Sequence, residues 1–490
     1  MKRWLILIWI TVIACAGINL SAAEPIENAS LRVSSPESGR IVLNLETPQL
    51  KVISETIEGR SFDRIIMTGA HSTDEDGMPE LPLITTMIAI PPNGNVRLSY
   101  TYTNVRTIAY QNPMPVRADE SKPIVSRAND LTRQGIAAYP QDLVSHSDPA
   151  WIRDFRVIQI AVQPVQYLPQ EQMIRIYDGI TVTVETDGDP GAYTSYSPSF
   201  ARIYEAHISN FDAYRSIALA PLQARVLIIH GQTTDNMFQQ RLSDFVKWKR
   251  QKGFEVNVAS TAVAGTSNQA IKNYIQAQYN ATQTRPDYII IIGDVGGSYA
   301  VPTFYETIST YNGEGDYPYT HLAGGDLLGD AFIGRMSVEN LSQFATMLAK
   351  GYAYEKNVNN SPAAAAWLNR MLLIGDPSDS GISCVYVSKY IRELAKKANP
   401  DYSFIENYTG GYATTINSGI NQGVGFFSYR GFWGVSGWSP SGSLVNGVKL
   451  PHSVVLTCGT GSFANGTSTT EAFMRLGTEA VPAGALTAIG

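Results

Sequence analysis

The hydrophobic periodicity of this 490-residue chain changes near residue 224, and this change limits the folds that the chain can adopt. After that point, short apolar runs alternate with segments of helical period; the first four are 226–229, 236–252, 255–259 and 267–279. Strands that alternate with helices predict a mostly parallel sheet with helices on both faces. The polar, alanine-rich stretch 357–366 divides the region into two predicted α/β subdomains, 224–356 and 357–490.

Residues 24–185 instead show the alternation of half-buried strands, separated by Gly, Pro and Asn turns, and predict an all-β sandwich. Within this region, 105–150 is polar and predicts a long loop or a partly ordered segment. Residues 186–223 are rich in turn residues, and Arg202, Arg215 and Arg225 lie in this segment or just after it. The segment is either an ordinary interdomain linker or a processing segment, because proteolysis concentrates in exposed linkers.

The first 23 residues have the pattern of an export signal. Lys2 and Arg3 precede an apolar stretch, and Ser21-Ala22-Ala23 supplies a small-residue cleavage site. The apolar run is too short to predict a membrane span. A loose lipoprotein box that ends at Cys15 is the less favoured alternative, and it would leave a lipid anchor. We expect a protein that is secreted or held at the cell surface or outer membrane of a bacterium.

Composition argues against several classes of protein. Apolar residues make up 44% of the chain and charged residues 16%, as in ordinary globular proteins. The net charge of −6 and the lack of a basic stripe argue against a nucleic-acid partner. Without the signal, two of the three cysteines remain, which excludes a disulfide scaffold. Six histidines without a Cys/His cluster argue against a transition-metal centre.

Cys458 is the candidate nucleophile. A strand-like run, 453–457, leads directly into it, and a Gly-Thr-Gly turn follows. A thiol at the carboxyl end of a core strand, next to free backbone N–H groups that can stabilise an oxyanion, is a favourable setting for covalent catalysis. The alternative is a buried structural thiol, as is common for free cysteine and as we expect for Cys384 on a predicted helix.

Two stretches of the second half resemble the gingipain family of cysteine peptidases. In 450–463 the matching residues are Leu450, Pro451, Cys458 and Phe463; in 423–438 they are Tyr429, Gly431 and Trp438. Shorter stretches are also similar to the family, namely 288–294, 316–337 and, for its pro-domain, 77–94. The resemblance implies a caspase-like α/β unit behind a pro-domain. It also implies an endopeptidase made as a zymogen, which hydrolyses peptide bonds in a protein or peptide substrate with Cys458 as nucleophile and Gly431 in the oxyanion region.

The chain departs from the family pattern at the catalytic base. The family's histidine falls on Phe432, and the glycine after it on Trp433. A phenyl ring cannot exchange the thiol proton, and general acid–base transfer is typically worth about 10²–10⁴-fold in rate. His230 or His321 are the substitute bases that we consider; His452 lies roughly 20 Å along the strand from Cys458. The competing hypothesis is an inactive homologue whose apolar cleft binds peptides, at the surface or in secreted form, without cutting them.

Other polar residues have weaker assignments. By resemblance, Asp376 lies near where the family carries an acidic residue that assists its site. Arg430 shares a strand face with position 432, and as a cation it could lower the pKa of the Cys458 thiol. Asp316, Asp326 and Asp330 are candidate calcium ligands, with a solvated acidic loop as the alternative; no other cofactor is expected. The family's preference for basic residues has no clear counterpart in 378–384, so it is not carried over. Because the chain stops inside a predicted strand, we expect the natural protein to continue.

Overall fold

The structure is a computed structural model, and it describes residues 29–37, 39–46, 50–117, 123–215, 223–308, 311–357 and 365–490. The predicted signal peptide, Cys15 and most of 357–366 lie outside these residues. The described residues form two compact units. The N-terminal unit comprises the described residues up to Ala224 together with His321–Asp330, and the α/β unit comprises Arg225–Thr320 and Ala331–Gly490.

The N-terminal unit is built from antiparallel strands, as its alternating pattern predicts. Its strands are β1 (Leu31–Glu37), β2 (Arg40–Leu45), β3 (Lys51–Ile57), β4 (Arg60–Ile66), β5 (His71–Ser72), β6 (Pro82–Ile90), β7 (Val96–Thr101), β8 (Asn104–Ala109), β9 (Val144–His146), β10 (Ala150–Ile152), β11 (Phe155–Val162), β12 (Val165–Leu168), β13 (Met173–Asp178) and β14 (Ile180–Thr186). Two short helices accompany them, α1 (Ala128–Arg133) and α2 (Ala201–His207). Alternate residues of β2, β6, β11, β13 and β14 meet in one apolar core.

The alternating pattern of residues 174–184 predicts a single strand, and the structure corrects this prediction to two strands. Gly179 separates β13 from β14 with φ of 59°, a left-handed conformation that glycine adopts at no steric cost. A Cβ atom at this position would lie 2.3 Å from Oγ1 of Thr103, so the turn requires glycine.

Residues 190–214 form an ordered part of the N-terminal unit. They include the 3₁₀ turns Pro190–Ala192, Pro198–Phe200 and Phe211–Tyr214 in addition to α2. Their aromatic rings surround Phe155 of β11; the ring centroids of Tyr193, Tyr196, Tyr204, Phe211 and Tyr214 lie 4.9–5.8 Å from its own. A processing event in 186–223 stays a prediction, and residues 216–222 lie outside the described part.

The first sheet of the α/β unit is parallel throughout, in the order β16-β15-β17-β20. Its strands are β15 (Arg225–His230), β16 (Glu255–Ser260), β17 (Tyr288–Ile292) and β20 (Phe332–Met336), and a hairpin that the sequence did not predict adds β18 (Phe304–Ile308) and β19 (Tyr311–Gly315). The helices are α3 (Asn236–Gln251), α4 (Thr261–Ala264), α5 (Asn268–Asn280) and α6 (Leu341–Asn357). The predicted cap of α5 is confirmed, since the Ser267 hydroxyl accepts from the Ala270 N–H at 3.2 Å.

The second sheet is also parallel, in the order β22-β21-β23-β24-β25. Its strands are β21 (Arg370–Gly375), β22 (Ser403–Asn407), β23 (Phe426–Trp433), β24 (His452–Cys458) and β25 (Thr487–Ile489). Its helices are α7 (Pro377–Ser380), α8 (Ser383–Ala398), α9 (Tyr412–Gln422) and α10 (Thr469–Arg475). The prediction of a caspase-like α/β region is confirmed to the extent that both sheets are parallel and alternate with helices. In such sheets, sites form at the carboxyl ends of the strands.

Within the described ranges, no helix is both long enough and apolar enough to cross a membrane.

Candidate active site

Cys458 is the last residue of β24, and its free thiol is exposed, whereas Cys384 on α8 is fully buried. The neighbouring strand β23 carries an irregularity between Arg430 and Trp433 that brings Trp433 into register with Cys458. Beyond it, the Gly434 N–H donates to the Cys458 carbonyl at 3.0 Å. The thiol is therefore presented at the carboxyl edge of the sheet and is not packed in the core, which favours a reactive over a structural role.

The turn after Cys458 is held on several sides. The Thr460 hydroxyl donates back to the carbonyls of Val455 and Thr457, at 3.1 and 2.9 Å. The Phe463 ring lies 5.2 Å from the Arg335 guanidinium carbon, and the Ala464 N–H donates to a Glu314 carboxylate oxygen at 2.9 Å. Arg335 and Glu314 lie more than 120 residues upstream, so no local sequence pattern predicts these contacts.

Phe432 and Trp433 are on the surface, 57% and 68% exposed. The Trp433 ring covers Gly459, where an added Cβ would lie 3.2 Å from the indole. Gly431 is buried, and a Cβ there would come within 2.7 Å of the Tyr429 hydroxyl. The position that the resemblance assigns to a histidine is thus an exposed phenyl ring on a strand that borders the thiol.

Asp376 directly follows β21 and is 3% exposed. Its carboxylate accepts from the hydroxyls of Ser378, Tyr429 and Ser436 and from the Ser378 N–H. Burial alone would raise the pKa of Asp376, but these hydrogen bonds outweigh it and lower the pKa to about 2. The carboxylate of Asp376 is therefore ionised, and it holds the segment 429–436 through its hydrogen bonds to Tyr429 and Ser436.

The histidines considered as substitute bases have other partners. His230 ends β15 in the first sheet, is buried, and donates from Nδ1 to the Gly231 carbonyl at 2.8 Å. Burial lowers its pKa, although the hydrogen bond to Gly231 opposes this effect. His321 belongs to the N-terminal unit. His452 begins β24, at the opposite end from Cys458, and its two ring nitrogens contact Thr487 and Tyr354.

The three candidate calcium ligands also bind protein groups. Asp316 forms a two-bond ion pair with Arg335, at 2.7 Å for each bond. In the N-terminal unit, Asp326 accepts from the Trp151 N–H at 2.7 Å, and the buried Asp330 carboxylate accepts from the N–H groups of Arg153, Leu322 and Ala323. Burial raises the pKa of Asp330 to about 6 despite these hydrogen bonds.

Among the residues that the structure describes, no three His, Cys, Asp or Glu side chains are arranged to hold a metal ion. Calcium binding by Asp316, Asp326 and Asp330 therefore stays a prediction.

Comparisons with known proteins agree with this architecture. The family model of peptidase family C25 matches residues 220–490, and that of the C25 propeptide matches residues 24–218. Gingipain R2 of Porphyromonas gingivalis is 24% identical over 518 residues, which cover 98% of this chain and 68% of that protein. Lys-gingipain W83 of the same species is 26% identical over 412 residues, which cover 78% of this chain and only 23% of that protein.

Solved structures show a similar relation. The crystal structure of the Arg specific cysteine proteinase gingipain R is 24% identical, covers 55% of this chain and 62% of its own, and has a TM-score of 0.47. A complex of the RgpB pro- and mature domains of Porphyromonas gingivalis has the same identity and TM-score, and covers 55% of this chain and 63% of its own.

A free, exposed thiol at the carboxyl edge of a parallel sheet places the protein among those with a potential thiol nucleophile. The match over more than half of the residues is more specific: the chain belongs to peptidase family C25. It is a gingipain-like cysteine peptidase that carries the family's propeptide region ahead of its peptidase region, as the resemblance implied.

Proposed function

We propose that this protein is an exported cysteine endopeptidase, made as a zymogen, that cleaves protein substrates with Cys458 as nucleophile. The observation that carries the proposal is the exposed Cys458 thiol at the end of β24, ahead of a turn that Thr460 and Phe463 hold in place. The exported location rests on the N-terminal pattern of residues 1–23.

The thiolate attacks the carbonyl carbon of the scissile peptide bond and forms a C–S bond, and the carbonyl oxygen becomes an oxyanion. Backbone N–H groups beside Cys458 and Gly431 are the proposed donors to that oxygen. Collapse of the intermediate breaks the C–N bond, and the leaving amine must take up a proton. Water then hydrolyses the thioester, which releases the acid and restores the thiol.

Proton transfer is the slow part of this scheme. Phe432 can neither take the thiol proton nor return one to the leaving amine. We therefore expect turnover that is slow by about 10²–10⁴-fold relative to an enzyme with a positioned base, with water as the proton carrier unless a histidine approaches the thiol in a substrate complex.

The exposure of Phe432 and Trp433 favours a second candidate function. Two adjacent large apolar side chains in solvent beside a strand end can contact an extended peptide. In this alternative the protein binds peptides at the carboxyl ends of the strands in the second sheet and does not cut them.

The test is the pH dependence of iodoacetamide alkylation, followed by mass spectrometry, on the full-length protein after it has been cut in the connector 186–223, with Cys458→Ala cut in the same way as the control. A rate that titrates near pH 6–7 and is lost in the variant would support an activated nucleophile. Hydrolysis of a peptide library by the parent chain but not by the variant would support turnover. A thiol that titrates near pH 8.5 and hydrolyses nothing would contradict the peptidase proposal and leave the binding function.

A further inference from the structure

In the described part of the α/β unit, the Nη1 of Arg430 and the Nη1 of Arg335 each donate to two backbone carbonyls. The Nη1 of Arg430 donates to the carbonyls of Gly431 and Leu456, at 3.0 and 2.8 Å, and so links β23 to β24. Arg335 does the same with the carbonyls of Gly293 and Val301, at 2.7 and 2.9 Å. The two side chains are therefore fixed in the same way, and they can be compared.

The two arginines differ at the other edge of the guanidinium group. Nε and Nη2 of Arg335 hold both carboxylate oxygens of Asp316, at 2.7 Å each. This fork is the geometry in which arginine binds a carboxylate with two parallel hydrogen bonds. Within the described ranges, the Nε–Nη2 edge of Arg430 has no hydrogen-bond partner, and Arg430 forms no ion pair. The contacts of Nη1 thus hold the guanidinium group of Arg430 in place, and its Nε and Nη2 remain able to donate two parallel hydrogen bonds to a carboxylate.

The Nε–Nη2 edge of Arg430 lies beside the candidate nucleophile. Arg430 pairs in register with Leu456, whereas the preceding pair, Tyr429 and Val455, is buried in the core. Alternation along the strand puts Arg430 and Leu456 on the opposite face, and Cys458 follows Leu456 by two residues on that face. Two residues of a strand span about 7 Å, which is within reach of a side chain next to a scissile bond.

The surroundings of Arg430 fit a side chain with an aliphatic stem and a charged end. Leu456 is 44% exposed and Phe432 is 57% exposed, so the cation is bordered by apolar surface. We propose that Arg430 is a specificity-determining residue that binds the carboxylate of an acidic substrate residue beside the scissile bond. This inference rests on the proposed function and assigns its substrate class: peptides with Glu or Asp next to the cleavage point.

The test uses three peptidyl chloromethyl ketones that differ only in the residue next to the reactive group: Glu, Gln or Lys. The Cys458 thiolate displaces chloride from the methylene carbon, so labelling requires no catalytic base and no turnover. The full chain is labelled at pH 8.5, and adduct formation at Cys458 is followed by intact mass. We expect Glu to label about tenfold faster than Gln, because one charge-assisted contact at a partly exposed site is worth about that much, and Lys to label slowest.

Variants of Arg430 separate specificity from structure. In Arg430→Gln the Glu-to-Gln ratio should fall to about one, and in Arg430→Lys it should fall but stay above one, since the charge remains without the fork. The ratio is taken within one protein, so a loss of folded fraction cancels. Lys449→Gln, which removes a cation elsewhere on the second subdomain, should leave the ratio unchanged.

Two results would overturn the inference: a ratio near one in the parent chain, or a raised ratio that survives Arg430→Gln. A raised ratio that depends on Arg430, in a chain that hydrolyses no peptide, would support acidic recognition while the peptidase proposal fails. Peptide hydrolysis with no preference for acidic residues would support the peptidase proposal and overturn the specificity assigned to Arg430. No labelling by any of the three reagents would overturn both.

Discussion

The two parallel sheets of the α/β unit differ in the side chains that lie at the carboxyl ends of their strands. At the carboxyl ends of the strands of the first sheet, charged side chains are paired inside the protein: Arg335 of β20 with Asp316, and Asp294, which follows β17, with Arg475. In the described part of the chain, the carboxyl ends of the strands in the second sheet carry an exposed thiol, two exposed aromatic rings and the unpaired Nε–Nη2 side of Arg430. Both sheets have the same parallel topology, but the carboxyl ends of the first hold paired charges that stabilise the fold, whereas those of the second hold a candidate site. The two ends differ in whether their charged and reactive side chains already have partners within the protein.

The largest change that we predict is a gain of activity at the carboxyl ends of the strands in the second sheet. In Phe432→His/Trp433→Gly the side chains at these two positions match the family pattern, and an imidazole can exchange the thiol proton. Peptide hydrolysis should rise by about 10²–10⁴-fold, measured with fluorogenic peptides at pH 7.5. The matched control is Phe432→Leu/Trp433→Gly, which opens the same space without a base. Equal rates in the two variants would show that position 432 does not face the thiol.

Removing a buried cation at the carboxyl ends of the strands in the first sheet should cause the next largest effect. Arg475 donates to Asp294 at 2.8 Å and to Glu471 at 2.9 Å, and it is 7% exposed. Arg475→Met leaves both carboxylates buried without a counter-charge and should cost about 3–5 kcal/mol of stability, measured by urea unfolding. Arg241→Met removes a partly exposed ion pair with Glu479 and should cost less than about 1 kcal/mol. Similar losses in the two variants would contradict the distinction between buried and exposed pairs.

Lys350 links elements of the two sheets. It lies on α6, is 1% exposed, and donates to the carbonyls of Met474 and Ala485. Burial lowers its pKa from 10.5 to about 7. The unfolded chain therefore binds the Lys350 proton more tightly than the folded chain does. The resulting loss of folding stability is complete below pH 7 and decreases as the pH rises toward 10.5.

Raising the pH from 7 to 9.5 should therefore stabilise the parent chain by about 3 kcal/mol through this group. In Lys350→Met that part of the pH dependence should disappear, whereas Lys247→Met, at an exposed position on α3, should keep it. Urea unfolding at the two pH values measures the difference. A slope that is unchanged in Lys350→Met would show that the amine is charged in the folded protein.

The smallest effect that we predict concerns Asp376, the hydrogen-bonded carboxylate that follows β21 in the second sheet. Because hydrogen bonds lower the pKa of Asp376 to about 2 from 3.8, its contribution is present above about pH 4 and is lost as the pH falls toward 2. Asp376→Asn should cost about 2 kcal/mol at pH 7 and should flatten acid unfolding in this range. The exposed Asp379→Asn serves as control. A loss confined to Asp379→Asn would contradict the role of the Asp376 network.

Local patterns predicted the regular strands well. The apolar runs 226–229 and 255–259 match β15 and β16 to within one residue at each end, and the helical period predicted α3 and α5 to within one residue. Helix α9 was missed because Tyr412–Gln422 contains Gly, Ser and four Thr or Asn residues of low helix propensity. Burial of Ile416 and Ile420 against the second sheet stabilises it. Propensity alone does not contain that tertiary contribution.

The candidate site was predictable only in part. Cys458 could be found because the strand and the turn that present it are adjacent in sequence. The partners of Asp376 could not be found, since Tyr429 and Ser436 lie 53 and 60 residues away and meet it through the order of the strands. The open edge of Arg430 depends on the register of β23 against β24, which no local pattern fixes.

The loop His321–Asp330 has a practical consequence for work with parts of this chain. It interrupts the α/β unit in sequence, yet by its contacts it belongs to the N-terminal unit, where Trp151 and Arg153 donate to Asp326 and Asp330. A fragment that starts at residue 224 would lack both donors, and a carboxylate that is buried in the whole chain would face water. A fragment that begins at the family boundary therefore contains the loop His321–Asp330 without the hydrogen bonds from Trp151 and Arg153 that hold it in the whole chain.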